Sequence, residues 1–198
     1  MSGIVLASGS ATRRAMLEAA GVALAVSAAA IDEGEVKASM QAEGASPGDV
    51  AEMLAGMKAR RISLRHPGAL VIGADQMLEC DGVWYDKPAD RDAARAQLLA
   101  LRGRTHTLTS TALAMRDGER LWHSTDTARL TMRSFSHLFL ETYLDAVGPA
   151  VQSSVGAYQL EGWGAQLFAR IEGDHFTILG LPLLPLLGFL RDQGVLPS

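Results

Sequence analysis

The stretch Ala69-Leu-Val-Ile-Gly-Ala-Asp-Gln-Met77 decides the fold. An apolar run rich in β-branched residues that breaks at a glycine and an acid predicts a buried strand delivering Asp75 to its C-terminal edge. In open α/β sheets ligands bind in the crevice outside the carboxyl ends of the strands, which makes Asp75 a candidate for chemistry. The alternative reading is a turn aspartate that closes a strand.

Downstream, Glu79 to Tyr85 predicts a hairpin around Cys80-Asp-Gly82, with Gly82 free to take positive φ, and it returns Asp86-Lys-Pro88 beside the strand. Asp90 to Leu101 reads as an amphipathic helix, Thr105 to Met115 and Leu121 to Met132 as strands about an Asp117-Gly-Glu119 turn, and Ser136 to Val147 as a helix. Gly156, Gly162 and Gly164 punctuate a loop or broken strand. Gln166 to Ile171 and Phe176 to Leu179 read as closing strands, and Pro182 to Gln193 as a leucine-packed helix. Upstream, Asp49 to Leu64 is helical, with Val50, Leu54, Met57 and Arg61 near one stripe and Lys58 elsewhere on its surface; Met40 to Asp49 is a loop. Val22 to Ala30 reads as a strand, Gly3 to Ala7 as another, and Ala11 to Ala20 as a helix.

Two of these junctions carry charge in a suggestive way. Ser8-Gly-Ser-Ala-Thr-Arg-Arg14 joins a strand to a helix N-terminus, where free N–H groups and the helix dipole attract anions. Arg13 and Arg14 oppose that dipole, which makes sense if a phosphate is their counterion; otherwise Ser10 is an N-cap and the arginines are solvated. Asp32, Glu33 and Glu35 after a strand suit a hard divalent cation, or else form an exposed acidic turn.

The sequence of 198 residues is 48% hydrophobic and 20% charged, the composition of one continuous globular domain over 1–198. A net charge of -4 argues against a nucleic-acid polymer as partner, while leaving room for a small anion held by local cations. Cys80 as a lone cysteine excludes an internal disulfide and a multi-cysteine metal site. The N-terminus has no secretory pattern and Ile178 to Leu190 is short and interrupted by Pro182 and Pro185, so a cytoplasmic protein without a membrane span is expected. There is no GxGxxG fingerprint, Walker A loop, H-E-x-x-H helix or G-x-S-x-G elbow.

The order of these pieces resembles the Maf family of nucleoside triphosphate pyrophosphatases over nearly the whole chain. The blocks that carry the resemblance are Leu6-Ala-Ser-Gly-Ser-Ala-Thr-Arg-Arg14, Asp32-Glu33, Leu54-Ala-Gly-Met-Lys-Ala59, Ile72-Gly-Ala-Asp-Gln76 with Asp86-Lys-Pro88, Gly103-Arg-Thr-His106, and Gly173-Asp174 with Gly180-Leu-Pro182. The resemblance implies a single elongated α/β domain with a long central mixed β-sheet, flanking helices and a nucleotide-binding cleft, similar to inosine triphosphate pyrophosphatases. It implies hydrolysis of a nucleoside triphosphate to monophosphate and pyrophosphate with a divalent metal, Mg2+ or Mn2+. By position, Asp75 becomes the general base and Glu33 its acidic partner, the two also being the metal ligands. Ser8, Ser10, Arg13, Lys58 and Lys87 become the phosphate-binding groups.

The family positions that track base choice are here Thr12, Gln76 and Glu161. Gln76 and Glu161 match the subgroup acting on 7-methyl-GTP, where a carboxylate can accept hydrogen bonds from the N1–H and exocyclic amine of guanine. Thr12 departs from the tryptophan of that subgroup, with Trp163 as a replacement stacking partner or a core residue. Ser154 stands where the subgroup acting on UTP and dTTP commonly has lysine. The expected role is a house-cleaning enzyme for modified nucleotides, foremost 7-methyl-GTP. The alternatives are a dTTP/UTP pyrophosphatase of the same family and a weakly catalytic nucleotide-binding regulator of septum formation; a homodimer is left open.

Overall fold

Strands Ile4–Leu6 (β1), Leu24–Val26 (β2) and Leu70–Cys80 (β3) run parallel, with Val5 opposite Ala25 on one side and Val71 on the other. Val83–Tyr85 (β4) pairs antiparallel with β3, and Thr105–Arg116 (β5), Glu119–Met132 (β6) and Phe168–Glu172 (β7) complete the set. This computed structural model describes residues 3–197, and over them the seven strands form one mixed sheet of order β2-β1-β3-β5-β6-β7, with β4 off that path. The helices are Ala11–Ala19 (α1), Glu33–Ala42 (α2), Pro47–Ser63 (α3), Arg91–Leu101 (α4), His137–Val147 (α5), His175–Ile178 (α6) and Leu183–Asp192 (α7). The class is α/β, as expected. Among the described residues no helix is long and apolar enough to cross a membrane.

The chain groups into two compact units, each assembled from separate segments. The first comprises the chain up to Gln76, Thr109–Asp126, and the chain from Asp174 onward; the second comprises Met77–Leu108 and Thr127–Gly173. In the first, period-two alternation sorts β3 side chains onto two faces. Leu70, Ile72 and Ala74 pack with Leu6, Leu17, Leu181, Leu183, Leu186 and Leu190. Val71 packs on the opposite face with Ala55, Ala59 and Ile62 of α3. In the second unit, Tyr143, Leu98, Leu101 and Leu108 are fully buried, and Tyr143 donates to the Ala157 carbonyl at 2.9 Å. Both hairpin turns place consecutive residues at positive φ, Asp81 (52°) with Gly82 (80°) and Asp117 (51°) with Gly118 (85°), the primed-turn geometry that matches strand twist.

Several expectations need correction. Asp75 lies inside β3 rather than at its end, because the strand continues to Cys80 to pair with β4. The acidic turn at 31–35 is the start of α2, with Asp32 as its N-cap accepting from the Glu35 N–H at 3.1 Å. The loop expected up to Asp49 ends at Ser46, which forms a capping box with Asp49 and is followed by Pro47 at the first helical position. Phe176 to Leu179 is not a strand: Asp174 accepts from the Phe176 and Thr177 N–H groups and starts α6 there. On α3, Met57 and Arg61 face outward, whereas Lys58 is buried.

Candidate active site

A missing side chain sets the site's first distance. A Cβ at Gly73 would lie 2.2 Å from the Ala55 carbonyl oxygen and 2.8 Å from the Ala59 Cβ, so β3 and α3 touch backbone to backbone here. Asp75 shares the face of Gly73 and Lys58 precedes Ala59, so this contact brings acid and ammonium together. Lys58 Nζ donates to Asp75 Oδ1 at 2.5 Å and pairs with Glu33 Oε1 at 2.6 Å. Lys58 is 7% exposed and Asp75 5%, whereas the Glu33 side chain at 42% reaches water. Partial burial pushes the Glu33 carboxyl up, but the Lys58 hydrogen bond and charge, aided by Lys37 and Arg13, outweigh it and hold the group below its usual range.

A second cluster surrounds Arg13. Ser10 caps α1 by accepting from the Arg13 N–H at 3.3 Å, and the Ser10 N–H donates to Ser8 Oγ at 3.3 Å. The buried guanidinium of Arg13 donates from Nε to the Gly180 carbonyl at 2.8 Å, and from Nη1 to the Ala74 carbonyl at 3.0 Å and Ser8 Oγ at 3.2 Å. Burial lowers its pKa, while the charges of Asp75 and Glu33 oppose that loss, so the two clusters share one field. Arg14, by contrast, is exposed and pairs with Glu18.

Gln76 follows Asp75 and therefore points to the other face of the sheet. Its Nε2 donates to Ser110 Oγ at 3.0 Å and to the Thr177 and Ile178 carbonyls at 3.1 and 3.0 Å. Thr12 is half-buried on α1. Lys87 and Glu161 belong to the second unit: Lys87 lies exposed in the loop after β4, and Glu161 in an exposed turn beside Trp163, whose exposure of 46% takes it out of the core. The structure thus unites Ser8, Ser10 and Arg13, and separately Glu33, Lys58 and Asp75. Sequence reasoning missed Ser110, Thr177 and the carbonyls of Ala74 and Gly180. The one sequence signal was the run of hydroxyl residues at 109–111 in a Thr-rich strand, where each is buried.

Two carboxylates of this kind fit a magnesium-like cation that completes its shell with water and phosphate oxygens. Among the described residues no group of three or more His, Cys, Asp or Glu is placed to hold a metal ion.

A family profile described as "Maf-like protein" matches residues 3–193. The chain is 66% identical over 192 residues to a nucleoside triphosphate pyrophosphatase of Paramagnetospirillum magneticum, covering 97% of this chain and 99% of that one. It is 54% identical over 195 residues to a protein of the same description from Rhodospirillum rubrum, covering 98% and 96%. It is 51% identical over 193 residues to a 7-methyl-GTP pyrophosphatase of Mesorhizobium japonicum, covering 98% and 97%.

Proposed function

Because the chain belongs to the Maf-like protein family and is a nucleoside triphosphate pyrophosphatase, we propose that it acts on a modified nucleotide, foremost 7-methyl-GTP, by attack of water at the α-phosphorus. The observation that carries the chemistry is the buried Lys58 between Asp75 and Glu33, in the field of the buried Arg13. Water forms a bond to the α-phosphorus as the bond to the bridging oxygen breaks, and pyrophosphate leaves with that electron pair. Asp75 takes the proton of the attacking water and Glu33 helps orient it. Such a transition state needs positioning and charge neutralisation more than covalent help. Arg13, Lys58 and Lys87 supply cationic charge to the phosphates, with Ser8, Ser10 and the N–H groups at the start of α1. Glu33 and Asp75 would hold the divalent cation, Mg2+ or Mn2+, which when bound neutralises phosphate charge and lowers the pKa of water.

Base choice rests on Glu161, a carboxylate able to accept from the guanine edge, together with Gln76 and Thr12. The 7-methyl-GTP pyrophosphatase relative supports this reading. Pyrophosphate release across a panel of 7-methyl-GTP, GTP, UTP and dTTP tests it: 7-methyl-GTP should be the best substrate, and Glu161→Gln should lose guanine nucleotides while keeping pyrimidines. Preference for UTP or dTTP overturns the substrate assignment, and tight nucleotide binding without product in Mg2+ or Mn2+ overturns the reaction in favour of a regulatory binder.

A further inference from the structure

The block Gly103-Arg-Thr-His106 carries part of the family resemblance, yet the reaction gives it no role. Its last residue, His106 on β5, is buried in the second unit against two rings, with centroids 5.6 Å away for Tyr158 and 5.9 Å for Phe168. Those two rings pack edge to face on each other at 4.8 Å. A hydrogen bond of 2.7 Å joins His106 Nε2 to the Tyr158 hydroxyl, which is the partner that a buried phenol needs.

Tyr158 and Phe168 stand at the two ends of one loop, and Glu161 lies within it. The loop is closed on itself: the Gly162 N–H donates to the Gln159 carbonyl at 3.3 Å and the Ala165 N–H to the Gly162 carbonyl at 3.1 Å. A Cβ at Gly164 would stand 2.3 Å from the Gln159 carbonyl oxygen, so the far side folds directly onto the near one. Its entrance is fixed as well. Ser154 Oγ donates to the Tyr158 carbonyl at 2.5 Å, and Gly156, at φ +77°, leaves no room for a side chain, since a Cβ there would meet the Tyr158 ring at 2.6 Å. At the exit, the Arg133 N–H donates to the Leu167 carbonyl at 2.9 Å and Arg133 Nε to the Gln166 carbonyl at 2.5 Å. The loop therefore moves as one piece on its neck, and His106 ties both sides of that neck to β5.

We propose that His106 is a positioning residue for base recognition: through Tyr158 and Phe168 it fixes the turn that carries Glu161. The inference rests on the reading of Glu161 as a reader of the base. It predicts that loosening the neck changes which base is chosen and leaves the grip on the phosphates alone.

Tyr158→Phe tests this, since it deletes one oxygen and keeps the ring. The ratio of kcat/KM for 7-methyl-GTP to that for UTP should fall at least about fivefold, in the range expected for coupled neighbours, while binding of inorganic tripolyphosphate, which has no base, stays at the wild-type value. In the ligand-free protein, cleavage by Glu-C protease on the carboxyl side of Glu161 should be faster in the variant, because a loosened turn opens more often. Should Tyr158→Phe be poorly folded by circular dichroism, His106→Gln, which keeps a polar group but loses the ring, is read in the same way and should move both readouts in the same direction. A lower Tm with selectivity and cleavage both unmoved makes His106 a core residue only and overturns the proposal, as does an equal loss for every nucleotide together with tripolyphosphate. Glu161→Gln is measured alongside. If it leaves the ratio unmoved, the reading of Glu161 falls instead, and the cleavage rate alone decides whether His106 holds the turn.

Discussion

Lys58 neutralises two carboxylates at once, and that arrangement makes it the residue with the broadest expected effect. Removing one partner of a buried charged set leaves the others uncompensated, which costs far more than the pair contributes. Lys58→Met should lower kcat/KM about a hundredfold or more, the scale for losing one preorganised electrostatic donor. Glu33 now sits below its usual range because Lys58 holds it there, so its carboxyl should rise in the variant. The acid limb of the pH–rate profile should accordingly move to higher pH; an unmoved limb would show that Glu33 does not govern it. None of this was legible on the helix itself. The stripe through Val50 and Leu54 pointed to Met57 and Arg61, but the buried face runs on from Val50 and Leu54 through Ala51, Ala55, Ala59 and Ile62, and its alanines are too small to register as a hydrophobic signal. Asp75 and Arg13 were visible, because an acid inside an apolar strand and a cation at a helix start both contradict local preference.

At the scale of elements, the contact of β3 with α3 is the joint on which the carboxylate–lysine cluster depends. Gly73→Ala would drive a methyl group into the Ala55 carbonyl, a backbone atom that cannot rotate away. Overpacking of this kind costs roughly 1–3 kcal/mol, or about 2–12 °C in Tm for a chain of this size. Separating the two elements also pulls Lys58 from Asp75, so activity should fall by more than the loss of folded protein explains. Thermal melting and kcat of the soluble variant check this, and a variant with wild-type Tm would show that the joint can relax. The elements that sequence revealed and those it hid differ in a physical way. Strands β3, β5 and β6 and the two Asp-Gly turns were legible because period-two patterning and positive φ leave marks in single residues. Helix α2 has no buried residue and hence no apolar stripe to read, although it carries Glu33. The helix at 175–178 is dictated by one cap, Asp174, acting on residues that locally favour a strand.

For the whole molecule, acid sensitivity has one identifiable source in the second unit. His106 is 1% exposed, shares a hydrogen bond of 2.7 Å with Tyr158, and has no partner for Nδ1. Burial pushes its pKa down to about 4, below the ordinary value near 6.5. The unfolded chain therefore binds a proton that the folded one refuses. Stability is complete above about pH 6.5 and is lost as pH falls through about 4, by about 3 kcal/mol. Urea midpoints measured from pH 7 to 4 should fall more steeply for wild type than for His106→Gln; equal slopes would assign the acid sensitivity elsewhere.

The segmental make-up of the first unit bears on how the chain is made. β1 and α1 leave the ribosome early, but Leu6 and Leu17 are covered by Leu181, Leu183, Leu186 and Leu190, which are synthesised far along the chain. The Gly180 carbonyl that anchors Arg13 arrives equally late. At typical elongation rates the nascent chain would carry these apolar segments without their partners for roughly ten seconds or more. Trigger-factor-like holdases have that interval in which to act, and the cluster around Arg13 cannot close until the residues up to Gly180 have emerged.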